Sequence, residues 1–290
     1  TRDPHLKEYG PGWPRKDGDV VGIAVATEGW EAYYPIAHLG GGNLDKNVVL
    51  RWLKKQLSTG CPKIMHNAPY DLGWLKALDI PVNGPIIDTM IMAALLDENR
   101  YSYSLNALSY DYLGEAKSEK LLTQAAVDFG VDPKAELWKL PSQFVGPYAE
   151  MDARLAFDLY KFFKLEIAKQ DLNTVWDLET RLTPCLIDMT FRGIRVDMDR
   201  CERTKQALIK REKAVLKKIE AQAGGEVEIW AAASLAKAFD KLDIKYPRTA
   251  TGQPSFTKSF LSDNPHEFAK MVVEARNLNK VQGTFVSSIM

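Results

Sequence analysis

Lys63-Ile64-Met65-His66-Asn67-Ala68-Pro69-Tyr70-Asp71-Leu72 decides how this chain is read. Lys63 to His66 reads as a brief strand and Asp71 to Leu78 as a helix, so Asp71 stands where a strand hands over to a helix. In open α/β sheets that edge is where ligands bind. Upstream, Val20-Val21-Gly22-Ile23-Ala24-Val25-Ala26 is a β-branched run, turned at Thr27-Glu28-Gly29 into Trp30 to Pro35, a hairpin pattern. Asp45 to Leu57 follows the Gly40-Gly41-Gly42 loop as an amphipathic helix. Downstream come a second brief strand, Ile86-Ile87-Asp88, and helices over Thr89 to Leu96 and Tyr103 to Leu113. Strand and helix in alternation predict an α/β sheet with crossover connections.

From Tyr148 the pattern becomes helical. Leu155, Leu159 and Phe162 follow Asp152 along one face. Further helices are predicted over Asp177 to Phe191, over Asp199 to Gln222 with Leu208, Val215 and Ile219 on one stripe, around Leu235 to Leu242 and over His266 to Asn279. Arg248 to Ser255 reads as a polar loop. We expect two domains, residues 1–170 and 171–290.

The chain has 290 residues, 46% apolar and 26% charged, enough for two cores. It has no run of eighteen apolar residues, so no membrane span is expected. Cys61, Cys185 and Cys201 lack paired or metal-ligand spacing, and the histidines are scattered. A zinc site is therefore not expected, and free thiols in a reducing cytoplasm fit best. The 38 basic residues balance 38 acidic ones, but residues 1–170 are acidic by three charges and residues 171–290 basic by three. An acidic half able to hold cations beside a basic one is compatible with a nuclease next to a DNA-holding element, and equally with a balanced solvated surface.

Tyr148-Ala149-Glu150-Met151-Asp152 puts a phenol and a carboxylate at i and i+4, on one helical face. Phosphodiester hydrolysis needs a hydroxide in line with the leaving oxygen and neutralisation of the phosphate charge. Carboxylates holding two divalent ions do both. Oxygen ligands suit Mg²⁺ or Mn²⁺. Asp71 and Asp152 are the metal-ligand candidates, with Tyr148 orienting water, Asn67 hydrogen-bonding a terminal nucleotide and Tyr70 stacking on a base. Each spacing alone occurs about once by chance in a chain of this composition; the order and the strand-then-helix context carry the weight.

Residues 18–165 resemble the DnaQ-like (RNase H-like) 3′–5′ exonuclease domain of family A DNA polymerases. The matching stretches are Asp19 to Ala26, His66 to Leu72, Ile87-Asp88-Thr89-Met90, Tyr103-Ser104-Leu105 and Tyr148 to Asp152. Residues 178–290 resemble the start of that family's polymerase domain. Glu179 through Gly193-Ile194-Arg195-Val196-Asp197 is similar to its entry segment, Thr249-Ala250-Thr251-Gly252-Gln253-Pro254-Ser255 to its TxTGxxS loop, and Arg276, Lys280 and Thr284 to the thumb helix that follows the DNA backbone. Gln282 departs from the pattern, where many relatives have lysine. The resemblance implies an exonuclease sheet with flanking helices, followed by a mostly helical thumb. It also implies DNA contacts from Thr251, Ser255, Arg276, Lys280 and Thr284. Read without the family, those thumb positions are most simply a surface loop and a solvated helical face.

The same family carries an Asp-x-Glu pair upstream of these motifs. Asp177-Leu178-Glu179 is the one such triplet here, after the others and in a helix. The resemblance therefore implies that Thr1 follows the pair directly and that the sheet's first strand is missing. Val20–Ala26 and Lys63–His66 are then expected to have unpaired edges. The implied parent is a monomeric, phage-like DNA polymerase with proofreading, acting in the bacterial host cytoplasm on single-stranded 3′ ends and primer–template duplex. The chain alone is expected to do neither reaction efficiently. A free-standing exonuclease of DNA or RNA, and a non-catalytic exonuclease-like DNA-binding scaffold, are the alternatives.

Overall fold

The computed structural model describes every residue except Ala116, Ser118 and Lys134. Two compact units divide the chain, Thr1–Gly193 and Ile194–Met290.

In the first unit a short helix α1 (Leu6–Tyr9) and a 3₁₀ turn (Trp13–Arg15) precede β1 (Gly22–Thr27) and β2 (Trp30–Pro35). These strands form an antiparallel hairpin from Gly22 opposite Pro35 to Thr27 opposite Trp30. Gly29 has a φ of 72° and supplies the left-handed residue that so tight a turn needs. Helix α2 (Lys46–Leu57) starts where the Asp45 carboxylate accepts from the Val48 amide at 2.9 Å. Strand β3 (Lys63–Met65), helix α3 (Ala68–Ala77) and β4 (Ile86–Asp88) form a parallel crossover unit, with Met65 opposite Asp88. Helices α4 (Thr89–Leu96), α5 (Leu105–Leu113), α6 (Lys120–Phe129), α7 (Ser142–Lys169) and α8 (Asn173–Arg192) complete the unit.

The described strands form two separate two-stranded sheets. Among the described residues β1 pairs with β2 alone and β3 with β4 alone, so each has one unpaired edge, as expected. Helix α7 organises the core. Leu155, Leu159, Phe163 and Ile167 repeat every fourth residue and are fully buried against Ile87, Met92, Ala93 and Leu108.

Helix α7 begins six residues before Tyr148. Pro147, which looks like a helix start in sequence, sits on the exposed side inside the second turn. Helix α6 was not predicted from the sequence. Its Leu122, Ala125 and Ala126 are buried, while Leu121, Val127 and Phe129 are exposed, which blurs its periodicity.

Helix α8 packs within the first unit, although its residues lie beyond position 170. Ile187 and Phe191 join Trp13, Ala68, Leu72 and Trp74 in one cluster. Phe191 stacks on Trp13 with centroids 6.2 Å apart. Gly73 makes this possible, because a Cβ there would lie 2.2 Å from the Trp13 ring.

The second unit is helical, as expected: α9 (Met198–Ala223), α10 (Ala232–Lys241), α11 (Lys258–Asp263), α12 (Glu267–Lys280), a π-helical segment (Val281–Val286) and α13 (Ser287–Ile289). Asp197 caps α9 through the Arg200 amide at 2.9 Å, and Gly224 ends it at a φ of 64°. Val215 and Ile219 of α9 meet Leu235, Phe239, Phe268, Val272 and Ala275 in one apolar core. Phe239 is its hub, with Phe256 at 4.8 Å and Phe268 at 5.5 Å between ring centroids.

Candidate active site

The buried carboxylate of Asp88, at the end of β4, fixes the start of two helices. Its Oδ1 accepts from the Asn67 amide at 3.0 Å and the Met90 amide at 2.9 Å, and its Oδ2 accepts from the Ala68 amide at 2.8 Å. Asp88 thus caps its own helix α4 and the neighbouring α3 across the parallel strand pair. Asn67 needs this help. It sits at a φ of 62°, a left-handed position that asparagine tolerates, and its side chain makes no cap of its own. The residue before α3 is thereby locked with its side chain exposed, and Tyr70 and Asp71 lie in the first turn that follows.

Asp71 keeps a water-accessible surface while protein surrounds its carboxyl. That crowding pushes its pKa up to about 6, and Asp88 pushes it further up. Because water still reaches the side chain, screening limits the displacement. The Tyr70 hydroxyl donates to Asp3 Oδ2 at 3.2 Å and lies 2.8 Å from Thr1 Oγ1, and its ring stands edge-on to Trp74. The structure thus places Tyr70 half-buried against the N-terminal segment. His66 is held by Thr89, whose Oγ1 lies 2.9 Å from its Nδ1, and burial keeps its imidazole below the usual range.

Helix α7 supplies the second set of side chains. Tyr148 and Asp152 lie one turn apart and are both half-buried. Burial pushes the Tyr148 phenol up, and the charge of Asp152 pushes it further. Burial also raises the Asp152 carboxyl, with Lys117 and Tyr148 opposing. Asp152 Oδ1 is buried and makes no hydrogen bond. Its neighbour is a cation: Lys117 Nζ lies 2.5 Å away as an ion-pair partner. The same ammonium stands 5.0 Å from the centre of the Tyr148 ring.

Two carboxylates, hard oxygen donors, fit Mg²⁺ or Mn²⁺ in kind, and a buried carboxylate oxygen without a hydrogen bond is suited to a cation. Among the described residues, no three His, Cys, Asp or Glu side chains gather as a metal-binding group.

Sequence reasoning missed Asp88 and Lys117 as site residues. An aspartate ending a strand before a helix signals a cap for that helix; its bonds to α3 need the parallel pairing. Lys117 lies in the connection between α5 and α6, where no periodicity marks it.

The residues predicted in the second unit are placed in three ways. Thr251 is exposed on a loop closed by the Thr249 amide donating to Gln253 O at 2.8 Å and by an Arg248–Pro254 bridge, with Gly252 at a φ of 81°. The Ser255 amide donates to Pro247 O at 2.9 Å. Arg276 is spent internally: its guanidinium donates to Ile229 O at 2.6 Å and Phe256 O at 3.1 Å and lies over the Trp230 ring. Lys280 and Thr284 are exposed, but the helix becomes π-helical after Lys280. The i, i+4, i+8 stripe expected of Arg276, Lys280 and Thr284 is therefore broken.

Residues 13–168 match the family model of the DNA polymerase A 3′–5′ exonuclease. The whole chain is 36% identical over 297 residues to a DNA-directed DNA polymerase of Pseudomonas phage M6, covering 45% of that protein. A DNA polymerase DpoZ of Salmonella phage PMBT28 is 31% identical over 95% of this chain and 45% of its own length. A DNA polymerase I of Synechocystis sp. is 25% identical over 93% of this chain and 28% of its own length. Among solved structures, the POL domain of Pol1 from M. smegmatis, in complex with DNA primer-template and dNTP, superposes with a TM-score of 0.70. That likeness covers 94% of this chain and 44% of the other at 20% identity, and speaks for the fold. The chain spans less than half the length of these curated relatives.

Proposed function

The chain belongs to the DNA polymerase A 3′–5′ exonuclease family, and from that premise we propose that it carries the proofreading site of a DNA polymerase, hydrolysing 3′-terminal nucleotides from DNA. The observation that carries this reading is the pairing of Tyr148 with Asp152 one turn apart on α7, both half-buried, with the Asp152 carboxylate facing a cation. Asp152 and Asp71 are the residues that would hold divalent ions, Mg²⁺ or Mn²⁺. When bound, such ions supply a hydroxide at neutral pH and neutralise charge on the phosphate.

The chain's own groups do the rest. The Tyr148 phenol, kept protonated by its surroundings, is a donor and acceptor able to orient a water beside Asp152. Asn67, exposed and fixed by Asp88, presents an amide to a terminal nucleotide. Thr251, Lys280 and Thr284 remain candidates for contacts with the DNA backbone, and Ser255 and Arg276 for shaping the loop and helix that carry them. DNA synthesis is proposed for the complete protein, in keeping with relatives more than twice as long.

The test uses the complete product of the gene, a 3′-labelled single strand and Mg²⁺. Stepwise shortening that disappears in Asp152→Ala is expected. No shortening, or shortening indifferent to that change, overturns the proposal.

A further inference from the structure

Lys117 is a lysine with a side chain only 7% exposed, in the connection between α5 and α6, which also carries Glu119, whose charge raises Tyr148 and Asp152 alike. A buried ammonium is costly unless paired. It has two partners, the Asp152 carboxylate and the face of Tyr148, and these are the two α7 residues on which the proposed chemistry depends. Its backbone is held in place independently. The Lys117 amide donates to Asn106 Oδ1 at 3.3 Å, and Glu115, two residues earlier, pairs with Arg154, two residues beyond Asp152. The connection is thus held to α5 through Asn106 and to α7 through Arg154, and these anchors bring the lysine to Asp152.

We propose that Lys117 is a positioning residue that occupies the cation position at Asp152 Oδ1 and yields it to a divalent ion. The inference rests on the exonuclease reading above. A Mg²⁺ or Mn²⁺ ion binds a carboxylate oxygen at about 2.1 Å. Lys117 Nζ already stands 2.5 Å from the same oxygen, and two cations held so close repel. Loading therefore exchanges one cation for another. In the metal-free protein the lysine holds Asp152 and Tyr148 in place and keeps a buried carboxylate oxygen from standing alone.

Mn²⁺ titration of the complete protein, followed by electron paramagnetic resonance of the free ion, tests this without reference to hydrolysis. Lys117→Met is expected to tighten Mn²⁺ binding by at least about five-fold, the lower end of coupling between two interacting sites. Lys117→Arg, which restores the cation, is expected to stay close to the parent. The gain is expected to vanish when Asp152→Asn is present. Lys117→Gln serves in place of Lys117→Met if the latter does not fold. Unchanged or weaker binding in the neutral variant, a gain that survives Asp152→Asn, or no Mn²⁺ binding by any of these proteins overturns the inference. If the Mn²⁺ shift is seen but the labelled strand is not shortened, the functional reading fails and the cation exchange stands; the reverse pattern fails the exchange alone.

Discussion

The buried polar side chains of the described structure, His38, Asp88, Thr89, Ser109, Ser142 and Thr183, all lie in Thr1–Gly193, whereas the buried core of Ile194–Met290 is apolar throughout. The second unit is built on bulk: Phe239, Phe268, Leu235 and Ile219 fill space around one another, and volume and shape are all they specify. The first unit also has an apolar core along α7, but near β4 it spends a carboxylate and a hydroxyl inside the protein. Asp88 holds three backbone amides, and Thr89 holds His66 and the Met65 carbonyl. Such groups cost desolvation and gain direction. They occur where the backbone must be held at a set angle next to exposed side chains; in the second unit the half-buried Arg276 does this for the carbonyls of Ile229 and Phe256, outside the fully buried core.

Substitutions can break or sharpen this contrast. The largest expected effect is on chemistry in the first unit. Asp152→Ala should lower the rate of 3′-nucleotide release by at least about 10²–10³-fold in single-turnover assays, as loss of one preorganised electrostatic group does elsewhere. Next comes the bulk of the second unit. Phe239→Ala leaves a cavity at a fully buried hub and should cost about 3–5 kcal/mol in urea unfolding, with the single-turnover rate of nucleotide release unchanged. Asp88→Ala leaves three amides without their acceptor and should cost on the order of 2–4 kcal/mol, while also lowering nuclease activity. If it costs stability without activity, the polar groups of the first unit are structural only and the contrast loses its meaning.

The smallest effect concerns pH. The folded Asp71 carboxyl is held above its unfolded value, so the folded chain binds the extra proton between pH 3.8 and about 6. Its contribution to stability therefore declines as pH rises through that window. Asp71→Asn should flatten the decline, measured by urea midpoints across the window.

The elements were legible where one period dominated. The strand Ile86–Asp88 and helix Thr89–Leu96 stand where the sequence places them, because two isoleucines precede the capping aspartate and the apolar run Met90 to Leu96 follows Thr89. The hairpin turn was legible for the same kind of local reason, a glycine able to take a positive φ. The start of α7 was not, because Pro147 resembles a first-turn proline and only packing shows it to be internal. The i, i+4 spacing of Tyr148 and Asp152 survived that error, since a helix preserves spacing wherever it begins. Lys117 was illegible for a deeper reason: its partner is 35 positions away, and a lysine in a polar connection looks solvated until the chain folds it onto a carboxylate. Arg276 shows the opposite failure. Its spacing from Lys280 looks like a DNA-facing stripe, and its guanidinium is engaged by carbonyls of distant loops.

The bonds of Asp88 have a consequence for the order in which the first unit becomes protected from solvent. The amides of Asn67, Ala68 and Met90 share one acceptor, and that acceptor reaches the first two only after β3 and β4 have paired in register. Local fraying of either helix cannot release one amide without straining the others. These three amides should therefore exchange with deuterium as a single cooperative group, at a rate set by opening of the strand pair.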